Sequence, residues 1–168
     1  LSLSMCRNPI ALEIVGLPAA VSAQFAASPG DAPLIQRQLQ AYFPEAVFNP
    51  SVENTLEQAW YESEAEEALI VEFGLKREFM LMLQTAKLDP FVGIIGALSE
   101  LHAQEIALFQ VLFQVANKEW AEGIMRSVSD PSGGSLFVNA PELAAAAKNK
   151  IARPLFAAVV RIAVLTES

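Results

Sequence analysis

The chain has 168 residues, enough for one domain, and its 53% hydrophobic against 18% charged residues can bury a sizeable core, which excludes a wholly disordered chain. Eleven basic and 19 acidic residues leave a net charge of −8, the wrong sign for broad, sequence-independent binding to phosphate backbones. With one cysteine, Cys6, and one histidine, His102, there is no internal disulfide and no Cys/His zinc cluster, and the expected setting is cytoplasmic.

Pro9 to Ala27 follows Arg7 and offers small residues at Val21-Ser22-Ala23, in outline a secretory leader. Glu13 in its middle and the Gly16-Leu17-Pro18 interruption argue against that reading. Ile10–Gly16 and Ala20–Ala27 instead read as two strands of a hairpin turned at Leu17-Pro18-Ala19. Asp31 then caps a helix with Pro33 in its first turn and Ile35, Leu39 and Tyr42/Phe43 on one face, ending at Pro44. Glu45–Phe48 is a candidate short strand. Residues 51–67 hold Glu53, Glu57, Glu62, Glu64, Glu66 and Glu67 with no basic residue, and read as a solvated helix or mobile connector.

Ala68–Leu75 and Phe79–Leu83 suggest a second hairpin, turned at Lys76-Arg77-Glu78. Asp89-Pro90 repeats the cap and first-turn proline ahead of Phe91, Ile94, Ile95, Leu98 and Leu101, a helix face. Ile106–Val115 is the strongest strand: Ala107, Phe109, Val111, Phe113 and Val115 make one apolar face, while Gln110 and Gln114 share the other with Ile106, Leu108 and Leu112, a partly covered side. Asn117 can cap a helix bearing Trp120, Ile124 and Val128. After the loop Asp130–Ser135 and an extended Leu136–Val138, Asn139 and Glu142 form a capping box for a helix ending at Arg153-Pro154. Leu155–Val164, apolar on both faces except for Arg161, reads as an interior strand.

The expected fold is α+β, a mixed or largely antiparallel sheet with helices packed on it. The order strand, turn, strand, capped helix, strand occurs twice and suggests a duplicated β-β-α-β unit with both helices on one sheet face. Residues 1–50 form the first unit, 51–67 an acidic connector, and 68–168 the second unit with a helical extension and the last strand. The missing initial Met and a core strand running almost to Ser168 suggest a piece of a longer protein.

The glycines build neither a P-loop nor G-x-G-x-x-G. Gly133-Gly134 reads as a flexible turn before an anion cradle. Cys6 with His102 lacks any supporting motif, and Glu13 with Glu72, strand carboxylates, form an acid/base pair only in outline; edge or solvent-facing positions explain them. Interface or structural candidates are Arg153, Arg161, Gln110, Gln114 and Trp120. Arginine suits either a buried carboxylate or a phosphate across an interface, the ion pair being the favoured role. No catalytic, cofactor-binding or metal-ligating residue is assigned, and no span of ~20 apolar residues crosses a membrane.

Several segments taken together, Pro9–Gly16, Gln38–Pro44, Val71–Leu75, Asp89-Pro90 through Gly96–Leu101, Phe109–Gln114, Trp120-Ala121-Glu122 and Lys150–Phe156, resemble the region preceding the motor in bacterial HerA/FtsK-like and conjugative-transfer (type IV secretion coupling) P-loop ATPases. The resemblance covers most of the chain outside 49–67. It implies a non-catalytic assembly or scaffold domain of a ring-forming, ATP-dependent DNA or protein translocase. ATP and Mg²⁺ would belong to the parent protein's motor, which is also the implied partner, and homo-oligomerisation would proceed through the full-length protein. Direct nucleic-acid binding is not expected. Two alternatives remain: a small ligand-binding domain or enzyme using the Gln110/Gln114 face, and an acidic docking adaptor.

Overall fold

The computed structural model describes residues 8–18, 20–49, 55–63, 67–84, 88–130, 132 and 134–166. The fold is α+β. In chain order the elements are β1 (Ile10–Leu17), β2 (Ala20–Ala26), α1 (Ala32–Tyr42), α2 (Thr55–Glu62), β3 (Glu67–Phe73), α3 (Pro90–Ser99), β4 (Ile106–Val115), α4 (Lys118–Arg126), α5 (Glu142–Ile151) and β5 (Phe156–Thr166). The strands form one sheet in the order β2-β1-β4-β5-β3, and every neighbouring pair is antiparallel.

Alternation along the strands divides the sheet into two faces. On one, Ile10 and Phe113 pack with Ile35 and Leu39 of α1, while Ile14, Ala107, Phe109 and Val164 pack with Ile94 and Leu98 of α3. The two helices thus lie on the same face, as the paired patterns predict. Phe91 of α3 meets Phe109 edge-on at 6.3 Å, and Phe113 meets Phe156 of β5 in the same way at 5.9 Å. Gly16 lets α3 come this close: a Cβ there would stand 2.7 Å from Leu101 Cδ1 and 3.0 Å from Leu98 Cβ. On the opposite face, Leu56 and Trp60 of α2 pack on Val15, Leu108 and Ala163. Helix α2 is the solvated helix of the acidic segment, and its i, i+4 apolar pair gives it a docking face. Residues 51–54 and 64–66 of that segment lie outside the described residues.

The capping signals are partly realised. Asp89 Oδ1 accepts the Phe91 N–H at 2.9 Å, and Asn117 Oδ1 that of Trp120 at 3.2 Å. Asp31 holds the N-cap position of α1, but its Oδ2 accepts instead from Ser28 Oγ and Asn8 Nδ2, stapling the chain ahead of β1 to the start of the helix. Asn139 is not a cap: α5 begins at Glu142, with Pro141 at its N-cap, and Leu136–Val138 is not a strand.

Two predicted strands are absent, and with them the duplicated β-β-α-β unit. Glu45–Phe48 is irregular and pairs with none of the five strands. Phe79–Leu83 forms no hairpin with β3. Met80 is buried among Ile124, Val128 and Ala147 in a second small core between α4 and α5, and Lys150 Nζ donates to the carbonyls of Phe79 and Leu81, the groups a ladder would have used. Burial lowers the Lys150 pKa from its ordinary 10.5.

Candidate functional site

Each strand carries a polar residue in an otherwise apolar stretch, and the registers align them. Gln24 lies opposite Glu13, Glu13 opposite Gln110, Gln110 opposite Arg161, and Arg161 opposite Glu72, so one residue from each strand forms a row across the sheet on the α2 face. Glu13 is 5% exposed and Gln110 8%. Gln24 Nε2 donates to Glu13 Oε2 and Gln110 Nε2 to Glu13 Oε1, both at 2.6 Å. Arg161 Nε donates to Gln110 Oε1, also at 2.6 Å.

The row is therefore a charge pair relayed through an amide. Every donor points toward the carboxylate, and the guanidinium stands at the other end of the chain of bonds. Glu13 has both oxygens engaged and Gln110 uses both ends of its amide, so the bonds turn inward on the sheet. What this arrangement does is fix pairing: slipping β1 or β4 by one residue would carry Glu13 or Gln110 to the α1/α3 face and strand it among apolar side chains.

Of the predicted candidates, the structure unites Gln110 and Arg161. The favoured ion-pair role for Arg161 takes an indirect form, with Gln110 between it and the buried carboxylate. Gln114 lies on the same face but is exposed, Arg153 is exposed ahead of β5, and Trp120 stands half-exposed at the start of α4; none joins the row. Glu13 is corrected: it is neither at an edge nor solvent-facing. Glu72 is at the edge and exposed, and with two strands between them the carboxylates are about 14 Å apart by strand spacing, too far for an acid/base pair.

Cys6 lies outside the described residues, and His102 is exposed in the turn after α3, its N–H donating to Glu105 Oε2 at 2.8 Å. In the Asp130 loop, Asp130 Oδ1 accepts the N–H groups of Ser132 and Gly134, which supplies the anion from within the chain; Gly133 lies outside the described residues. Among the described residues no three His, Cys, Asp or Glu gather into a metal-holding group, and no helix is long and apolar enough to cross a membrane.

The second feature is an exposed edge. All seven residues of β3 are exposed, Leu69 at 64%, Ile70 at 56% and Phe73 at 54%, and Val159 of β5 beside them is 41% exposed. Beyond β3 lies an open depression of about 450 Å³ whose lining includes Lys76, Arg77, Glu78, Leu81 and Met82. No family model, curated protein or solved structure matches the chain.

Proposed function

We propose that this chain is a non-catalytic assembly domain. The observation that carries the reading is β3: an edge strand whose apolar side chains are exposed on both faces, an arrangement that isolated soluble domains blunt and that interaction surfaces retain. The inward-turned polar row supports it, because Glu13, the most deeply buried ionisable side chain among the described residues, is engaged within the sheet. The resemblance supplies the wider context, a ring-forming ATP-dependent translocase of the cytoplasm in which ATP and Mg²⁺ are handled by a motor domain joined to this one.

Sedimentation velocity of the 168-residue chain over a range of concentrations tests the assembly role. Reversible association that Leu69→Lys weakens is expected. A single monomeric species at every concentration removes the reading, and ATP hydrolysis by the purified chain above a tag-only control removes its non-catalytic part.

A further inference from the structure

Between β3 and α3 the chain makes a detour over the second core. Residues 74–84 form neither helix nor strand, yet Met80 is 7% exposed among Ile124, Val128 and Ala147, while Phe79, Met82 and Leu83 around it are exposed. Among the described residues little else holds this segment. Its own backbone supplies one turn bond, Leu81 N–H to the Glu78 carbonyl at 3.1 Å. The one side chain that donates to it from another element is Lys150 of α5, whose Nζ reaches the carbonyls of Phe79 and Leu81, one on each side of Met80. The socket therefore has two parts: an apolar pit between α4 and α5, and an ammonium that binds the carbonyls flanking whatever side chain fills the pit. Methionine, long and unbranched, suits such an irregular gap.

The ends of the segment do not restrain it. Phe73 is paired through Val160 to Val111, and Phe91 stands edge-on to Phe109 of the same strand, which sets the two ends under about 20 Å apart by strand and layer spacing. The sixteen residues 74–89 can reach about 50 Å. Met80 can thus leave the pit without a strand unpairing or a helix unwinding, and a segment with so few buried contacts and so much exposed backbone belongs to the low-stability end of a fold.

We propose that residues 74–84 are a strap that opens independently of the sheet, latched by Lys150, and that the pit beneath it is a docking socket for a peptide turn of the chemistry Met80 shows, a long unbranched apolar side chain between two free carbonyls. The strap is then the socket's own occupant, an internal competitor that keeps Ile124, Val128 and Ala147 covered until a partner takes its place. The partner's apparent affinity is reduced by the fraction of time the strap is closed. This goes beyond the assembly reading and needs nothing from β3, so either can fall without the other.

Thiol labelling reads the opening. In a Cys6→Ser background, Met80→Cys is expected to react under native conditions at least about a hundred-fold faster than Val15→Cys, a position 1% exposed in β1 that waits on opening of the sheet. Adding Lys150→Met should speed the reaction at position 80 about ten-fold and leave that at position 15 unchanged. Equal rates at the two positions would mean that the strap opens only with the whole fold, and would overturn the proposal. The socket is read in the same Met80→Cys variant. A peptide of residues 74–84 in excess takes the pit from the weaker cysteine-bearing strap and speeds labelling further, whereas the same peptide with Met80→Ser does not; no difference between the two peptides removes the docking role. Should Met80→Cys fail to fold by circular dichroism, hydrogen exchange of the Leu81 amide in the unmodified chain reports the same opening. Exchange about ten-fold faster in Lys150→Met, and faster again with the peptide, supports the strap. Exchange at the rate of the β1 and β4 ladder amides overturns it.

Discussion

In β1, Ile10, Ala11, Ile14 and Val15 are all buried, whereas in β3 Leu69, Ile70, Val71 and Phe73 are all exposed, although the two strands are about equally apolar. The difference is position in the sheet. Strand β1 has a strand on each side, α1 and α3 below it and α2 above it; among the described residues β3 has β5 on one side and no strand on the other. Apolar content alone therefore does not say which segments form a core. A strand that is apolar on both faces is either interior or awaiting a partner, and the β1–β4 side and the β5–β3 side of this sheet are those two cases.

The contrast can be broken most severely at Glu13. Replacing it by Ala removes the carboxylate that accepts from Gln24 and Gln110 and leaves the buried Gln110 amide donor without that acceptor, and is expected to cost about 3 kcal/mol in urea unfolding. A loss under about 1 kcal/mol would mean that the row does not hold that side together. A matched pair of leucines comes next: Leu108→Ala, in the α2 contact, should cost about 3 kcal/mol, and Leu69→Ala under about 0.5 kcal/mol in the monomer. Comparable losses at both would abolish the distinction between the two sides. Gly16→Val, which drives a side chain into Leu98 and Leu101, should cost about 2 kcal/mol and lower the thermal midpoint; an unchanged midpoint would mean that α3 is free to shift.

The smallest effect concerns Lys150, whose pKa burial lowers from 10.5. In the window between its folded pKa and 10.5 the unfolded chain binds more protons than the folded one, so stability rises slightly with pH there and is insensitive to this group below both values. Side-chain NMR should show Lys150 titrating below its ordinary 10.5. Titration at 10.5 would place its ammonium in open water.

Much of the covered side was legible in the sequence. The β1–β2 hairpin, α1, α3 with its Asp89 cap, and the full extent of β4 follow from local period and turn chemistry, because neighbours in space there are neighbours in sequence or carry unbroken alternation. What failed was non-local. Nothing within Phe79–Leu83 tells that Met80 will be taken into the α4/α5 core, or that the neighbour a hairpin would give β3 is missing. Residues Glu45–Phe48 likewise have strand chemistry but pair with none of the five strands. Glu13 is the instructive case at the site: taken alone, a carboxylate in a strand reads as solvent-facing. The signal that could have placed it was shared, since Gln24, Gln110 and Arg161 are each polar interruptions of apolar strands, and such interruptions are best satisfied by one another.

The sheet order also has a consequence for synthesis. Strand β3 is made early, yet its only hydrogen-bonded neighbour among the described residues, β5, ends at Thr166, roughly ninety residues after Phe73. At ordinary ribosomal rates of roughly 5–20 residues per second, EALIVEF waits roughly 5–20 seconds before its native ladder can exist. During that interval it has two open edges instead of one. Nascent chains on neighbouring ribosomes would then meet through the same strand, and a general chaperone that shields extended apolar segments would find in 67–73 its natural point of contact.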